Sequence, residues 1–190
     1  MFFARWLLTV LAFPAGGWLA IQTVGSNEGP LSAAVGGLLA GAVIGVAQWL
    51  ALRSRGFGPR WAIGTAAGTA VGSALAAVLT GAGTSVGALV LTGSVIGAFV
   101  GAGQATQLGR GPRTATAWTA LVSVTWAVGW LISGNVIVDA ERGYYVFGLS
   151  GAVLATVATG LALRLILAKR PTPPRTDDPS STTAPVAATR

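Results

Sequence analysis

The sequence predicts an all-α fold: an integral membrane six-helix bundle, built from three helical-hairpin repeats in a pseudo-threefold arrangement, with a disordered C-terminal tail. Three observations predict it. Hydrophobic residues make up 53% of the 190-residue chain and charged residues 9%, whereas a soluble domain carries roughly a quarter charged residues. Six apolar runs each reach the ~20 residues that a helix needs to cross a ~30 Å hydrocarbon core. Residue patterns inside those runs return at a spacing of about 55 residues, the length of two spans and two short loops.

The runs cover residues 3–24, 31–52, 60–81, 86–107, 115–135 and 145–167. None alternates apolar with polar residues over ~10 positions, as a barrel strand would. The first run carries Arg5 near its start and could open a signal peptide, but it is long, carries Pro14 and Trp18, and ends at Ile21-Gln22-Thr23-Val24 without a small-x-small cleavage site. It reads as an uncleaved span that Pro14 should bend. The second and fourth runs hold glycine every fourth residue, Gly37/Gly41/Gly45 and Gly93/Gly97/Gly101, and the third holds Gly64/Gly68/Gly72. The third and fifth runs are rich in Gly, Ala, Thr and Ser, a composition that faces protein more often than lipid; five spans is the alternative count. After Lys169 the chain turns to Pro171-Thr172-Pro173-Pro174, Asp177-Asp178 and a Ser/Thr/Ala stretch. Residues 168–190 therefore read as a disordered cytoplasmic tail, and 1–167 as the bundle, with hairpin repeats at about 1–55, 56–110 and 111–167.

The repeat rests on residues in step. Arg5-Trp6, Arg60-Trp61 and Arg113 with Trp118 open the odd spans. In the even spans Gln48-Trp49-Leu50-Ala51-Leu52-Arg53 has a fainter copy at Thr159-Gly160-Leu161-Ala162-Leu163-Arg164, and Gly93-Gly97-Gly101 with Gln104 echoes Gly37-Gly41-Gly45 with Gln48. All three hairpins point the same way, which makes the repeats parallel and relates them by an axis along the membrane normal.

Arginine sets the expected orientation. Arg5 precedes the first span, Arg53, Arg55 and Arg60 separate the second from the third, Arg110 and Arg113 the fourth from the fifth, and Arg164, Lys169, Arg170 and Arg175 end the chain's apolar part. The opposite loops hold Glu28, no charge, and then Asp139, Glu141 and Arg142. The positive-inside rule then places both termini in the cytoplasm, for a multi-pass protein of the cell membrane.

Glycines four apart cut a groove in one helix face and let a neighbouring backbone approach, so the nine zipper glycines read first as helix-packing positions. Gln48 and Gln104 follow the last zipper glycine by three residues and must point inward, since an amide in hydrocarbon needs partners. They read either as interhelical hydrogen bonds, worth about 0.6 kcal/mol on average, or, with Thr159, as a polar ring lining the bundle axis. The seven tryptophans lie mostly near span ends or one turn in, and an interfacial aromatic belt accounts for several of them.

The chemistry-bearing residues are few. The chain has no histidine and no cysteine, which removes the usual ligands of zinc, haem and thiol sites; no cofactor or metal is expected. Asp139 and Glu141 share one loop and read as interfacial, beside Tyr144 and Tyr145, rather than as an acid–base pair. No charged group lies deep in a span, where ion coupling and proton relays ordinarily place one. An enzyme is not expected. The net charge of +7 is accounted for by loop arginines, and nucleic acid is not an expected partner; the lipid bilayer is, with a homo-oligomer or a membrane-protein complex as further expectations.

The stretch Gly41-x-x-x-Gly45-x-x-Gln48-Trp49-Leu50-x-Leu52-Arg53 resembles a motif of small uncharacterised bacterial multispanning membrane proteins, in which a glycine zipper runs into Gln-Trp-Leu-x-Leu-Arg, and Thr159-Gly160-Leu161-Ala162-Leu163 is similar to their closing motif. The second copy departs from it, reading Gln104-Ala105-Thr106-Gln107-Leu108. The resemblance implies a bacterial inner membrane and supplies no activity. The functional expectation is a non-enzymatic membrane protein whose zippers drive helix packing or oligomerisation, supporting a membrane complex; the alternative is a passive channel or transporter for a small neutral solute, lined by hydroxyls and carbonyls.

Overall fold

A computed structural model of the chain describes residues 2–136 and 145–168, Val136 by its backbone alone. It contains six helices long and apolar enough to cross a membrane, compatible with a multi-pass integral membrane protein. They are α1 (Phe2–Val24), α2 (Pro30–Leu52, extended by the 3-10 turn Arg53–Arg55), α3 (Arg60–Thr80), α4 (Val86–Ala105), α5 (Pro112–Val136) and α6 (Leu149–Ala168). The described residues are helical, without strands, and six candidate spans rather than five are present among them. The expected tail beyond residue 168, and the loop residues Asp139, Glu141, Arg142 and Tyr144, lie outside the described residues.

Local chemistry sets the helix ends. In α1 the helix tightens into a 3-10 turn at Thr9–Leu11, one turn before Pro14. Proline has no N–H for the carbonyl four residues back and its ring crowds that carbonyl; here that residue is Val10, at the centre of the tightened turn. Helix α2 starts on Pro30, and Ser32 Oγ accepts the Gly29 N–H at 3.1 Å and the Glu28 N–H at 3.0 Å, satisfying donors that the first turn leaves free. Ser85 caps α4, its hydroxyl accepting from Ala88 N–H at 3.3 Å. Helix α3 stops at Gly81, whose φ of 61° is the left-handed conformation that glycine adopts freely. The sixth helix begins at Leu149, four residues later than the apolar run suggests. Tyr145, Val146 and Phe147 are buried, so their hydrophobicity belongs to a segment folded onto the bundle, and Ser133 Oγ holds its end by accepting the Gly148 N–H at 2.8 Å.

Consecutive helices pack side by side, and α6 closes onto α1, giving a ring of six. Their antiparallel register is visible in which backbones meet. Gly16 of α1 faces Ala40 of α2; Gly37, Gly41 and Gly45 face Ser73, Thr69 and Ala62 of α3; Gly64, Gly68 and Gly72 face Gly103, Phe99 and Ile96 of α4. As one helix advances by four residues, its neighbour retreats by three to seven. On α5, Gly129 meets Gly151 of α6, and Gly160 of α6 meets Trp6 of α1.

The polarity of the ring is the reverse of a soluble bundle. Leu31 is 79% exposed and Leu8, Ile63 and Leu165 about two thirds, whereas Gln48, Thr65, Thr69 and Gln104 are buried. Such an apolar outer surface suits lipid, and the inner polar groups must satisfy one another. Of the two small-residue spans expected to face protein, α3 is the most buried of the six; α5 is no more buried than α1 or α4, because Val124 and Leu131 occupy its outer face.

Candidate functional site: the closed centre of the bundle

The repeating helical register carries Gln48 to the same inner face as Gly45, and Gln104 to that of Gly101. The two amides meet. Gln104 Nε2 donates to Gln48 Oε1 at 3.0 Å and to Thr65 Oγ1 at 2.9 Å. Each amide oxygen also accepts from an indole: Trp61 Nε1 reaches Gln48 Oε1 at 3.1 Å, and Trp118 Nε1 reaches Gln104 Oε1 at 3.2 Å. Thr65 passes its own proton to the Trp61 carbonyl at 2.9 Å. Four helices, α2 to α5, are thereby tied at one level.

Thr159 lines the same space, but its hydroxyl turns back to the Ala155 carbonyl of its own helix at 2.6 Å. The polar group linking α6 to the centre is instead a backbone carbonyl, Thr156 O, which accepts from Trp6 Nε1 at 2.9 Å. Thus Gln48 and Gln104 bond directly, and Thr159 stands beside them without joining.

The remaining centre is aromatic. Trp6, Trp61 and Trp118, from alternate helices of the ring, meet inside it, with ring centroids 6.4 Å apart for the first pair and 6.0 Å for the second. Behind them Phe13, Trp126 and Phe147 pack in tilted and T-shaped contacts with centroids 5.1 to 5.9 Å apart, and Trp130 meets Phe147 in a further T-shaped contact. Sequence position suggested an interfacial belt, yet Trp6, Trp61, Trp118, Trp126 and Trp130 are 1–3% exposed or less; only Trp18 is well exposed, at 63%. The physical reason is volume. A ring of helices whose contact faces are glycine and alanine leaves space along its axis, and the large indoles fill it. What remains is a cavity of about 10 Å³ bounded by Gln48, Gln104, Thr156, Thr159, Trp6 and Trp118, about the space of a single water.

Every zipper glycine lies against another helix of the same chain. A methyl group on Gly41 would sit 2.6 Å from Thr69 Oγ1, on Gly68 2.7 Å from Phe99 O, on Gly97 2.7 Å from Ser123 Cα and on Gly101 2.7 Å from Thr119 Cα. Gly37, Gly45, Gly64, Gly72 and Gly93 are equally close to a neighbouring chain segment, at 2.6 to 2.9 Å. These separations are below ordinary van der Waals contact.

At the end of the bundle opposite most arginines, a second cavity of about 30 Å³ lies between the α3–α4 turn and Tyr145, lined by Asn27, Ser73, Thr80, Thr84 and Thr92 among others. Asn27 Oδ1 and Ser73 Oγ have no hydrogen-bond partner among the described residues. Burial pushes the Tyr145 phenol above its ordinary value of 10.0; the nearby Ser32 hydroxyl pulls it down in part, and the charge of Glu28 pushes it up further. Among the described residues no three His, Cys, Asp or Glu side chains come together in a way that could hold a metal ion.

No protein-family model, curated protein or solved structure matches this chain.

Proposed function

We propose that this is a non-enzymatic integral membrane protein of the bacterial inner membrane, whose business is to be a tightly closed helical body that supports a membrane complex. The observation that carries this reading is the filled centre: indoles and the Gln48–Gln104 pair occupy the axis and leave about 10 Å³. Packing is the role of the glycine faces within the chain, since all nine lie against its own helices; any association with a second protein would use other surfaces.

The hairpin repeat belongs to the same proposal. Trp6, Trp61 and Trp118 lie one period apart, each at the arginine-bearing start of an odd helix, and each donates its indole proton to the even helix that precedes it around the ring. That pattern supports three copies of one unit, the third having lost the glutamine. The arginine asymmetry supports cytoplasmic termini for this arrangement.

Proteoliposome swelling with a graded panel of neutral solutes tests the closed body. Wild-type protein should pass no solute faster than protein-free vesicles; reproducible solute-dependent flux through folded protein would favour the channel reading. Replacing Gln48 and Gln104 together with leucine should lower stability and open no flux.

A further inference from the structure

The geometry points to a binding site for a membrane phospholipid with an anionic headgroup, in the groove between α1 and the end of α2. The two helices are pinned backbone to backbone at Gly16 and Ala40. Two turns further towards the arginine end, a groove of about 360 Å³ lies between them, open on the outer surface of the ring. Leu8, Ala47, Leu50 and Ala51 form its apolar wall, and Arg5 and Arg53 stand at its end.

Charge decides the occupant. Glu28 is the sole carboxylate among the described residues, and it precedes α2, at the far end of that helix from Arg53. No described carboxylate can therefore neutralise Arg5 or Arg53, and both are exposed. Beside them Arg55 lies over the Phe2 ring, 5.1 Å from its centroid, which adds a third positive charge to the same corner. Guanidinium groups hold phosphate through paired N–H bonds, and basic pockets between transmembrane helices suit acidic lipid heads. The apolar wall continues directly from the two arginines into the lipid-facing surface. A soluble anion would use the charges and leave that wall bare, whereas a phospholipid uses both, its phosphate on Arg5 and Arg53 and an acyl chain along Leu8, Ala47 and Leu50. This site rests on the membrane-spanning reading. Chain that stays monodisperse in buffer without detergent would refute that reading; the lipid comparison below tests the groove alone.

The test is native mass spectrometry of the full chain in detergent, loaded with equal amounts of phosphatidylglycerol and phosphatidylcholine. Wild-type protein should retain the anionic lipid preferentially. Arg5→Gln with Arg53→Gln should reduce that retention by about fivefold per arginine. Arg113→Gln removes a charge at the start of α5, which packs against α4 and α6 rather than α1 or α2, and should leave retention within about twofold, because exposed charges are screened over about a Debye length. Ala47→Phe fills the groove, keeps every arginine, and should also lose the lipid. Equal retention of both lipids by the wild type, equal loss in Arg113→Gln, or full retention by Ala47→Phe would each overturn the site. So would displacement of the lipid by millimolar inorganic phosphate, or a lipid-free dimer in place of the adduct. Thermal unfolding checks that each variant is folded; if the Arg5/Arg53 pair fails that check, Arg5→Gln alone is read against the same criteria.

Discussion

Gln104 is the most connected side chain of the bundle centre, and its replacement by leucine puts the reading of that centre at risk. The change removes three hydrogen bonds, to Gln48, Thr65 and Trp118. At an average of about 0.6 kcal/mol for an interhelical bond in a membrane, the three amount to roughly 2 kcal/mol. The consequences are unequal. Gln48 Oε1 still accepts from Trp61 and Thr65 still donates to its own helix, but Trp118 Nε1, in a side chain 1% exposed, loses its acceptor, Gln104 Oε1. An orphaned buried donor costs about 1–3 kcal/mol, so with about 1.2 kcal/mol for the bonds to Gln48 and Thr65 the single variant should lose about 2–4 kcal/mol. Gln48→Leu removes two bonds and strands Trp61 Nε1 in the same way. Because the Gln48–Gln104 bond is lost once in either background, the double variant should cost less than the sum by about 0.6 to 1.7 kcal/mol. Reversible unfolding in mixed micelles, or steric trapping in bicelles, measures all four corners of the cycle. Trp118→Phe should hurt less in the Gln104→Leu background than alone, since it removes the stranded donor. A coupling indistinguishable from zero, with each single variant within about 0.5 kcal/mol of wild type, would refute the idea that this network ties the helices together.

Gly97→Ala should destabilise by about 1–3 kcal/mol, as overpacking does, because the added methyl meets Ser123 Cα and Val122 O at 2.7 Å; Gly87→Ala, with nothing within 4 Å, should be neutral or gain up to about 1 kcal/mol. The same unfolding assay reads both, and Gly97→Ala behaving like Gly87→Ala would contradict the close helix approach. The raised Tyr145 phenol gives stability that is fully present below its ordinary value of 10.0 and is lost as pH rises through the higher folded value, because the unfolded chain ionises first. Tyr145→Phe should flatten that alkaline limb of the stability profile and change little at neutral pH. Brominated lipids should quench Trp18 and leave most of the tryptophan fluorescence intact, since Trp6, Trp61, Trp118, Trp126 and Trp130 are buried; quenching of most of the emission in folded protein would place the indoles on the outer surface.

The helices themselves were legible because the membrane imposes a length and a composition that local sequence must satisfy. Gln48 and Gln104 were legible as inward-facing groups for the same reason, since lipid offers an amide no partner. Their actual partners were not. The indoles of Trp61 and Trp118 come from the neighbouring odd helices, 13 and 14 residues away along the chain, and only the antiparallel register aims them at the amides. Thr159 shows the limit from the other side. Its place in the period was right for a ring member, but a β-hydroxyl can always reach the carbonyl one turn back on its own helix, and it does so. A long amide has no such local outlet and must cross to another helix.

The tryptophans carry the deeper lesson about reading small-residue membrane helices. Position near a span end admits two environments for an indole, the lipid headgroups or the interior, and the choice depends on how much room the helix ring leaves inside. That room is set by the glycines. Gly160 of α6 receives the Trp6 ring, with a hypothetical Cβ only 2.5 Å from Trp6 Cδ1, and Gly93 of α4 is as close, at 2.6 Å, to Trp130 Cδ1. Glycine and tryptophan are thus two halves of one packing solution, the first removing volume at the contact face and the second restoring it at the axis. A bundle packed by glycine faces alone would leave its centre hollow, and a hollow lined by Gln48, Gln104 and Thr159 would fill with water. Five buried indoles occupy that centre instead, so enlarging it by Trp61→Ala, rather than altering its polarity, is the change that should first admit water to it.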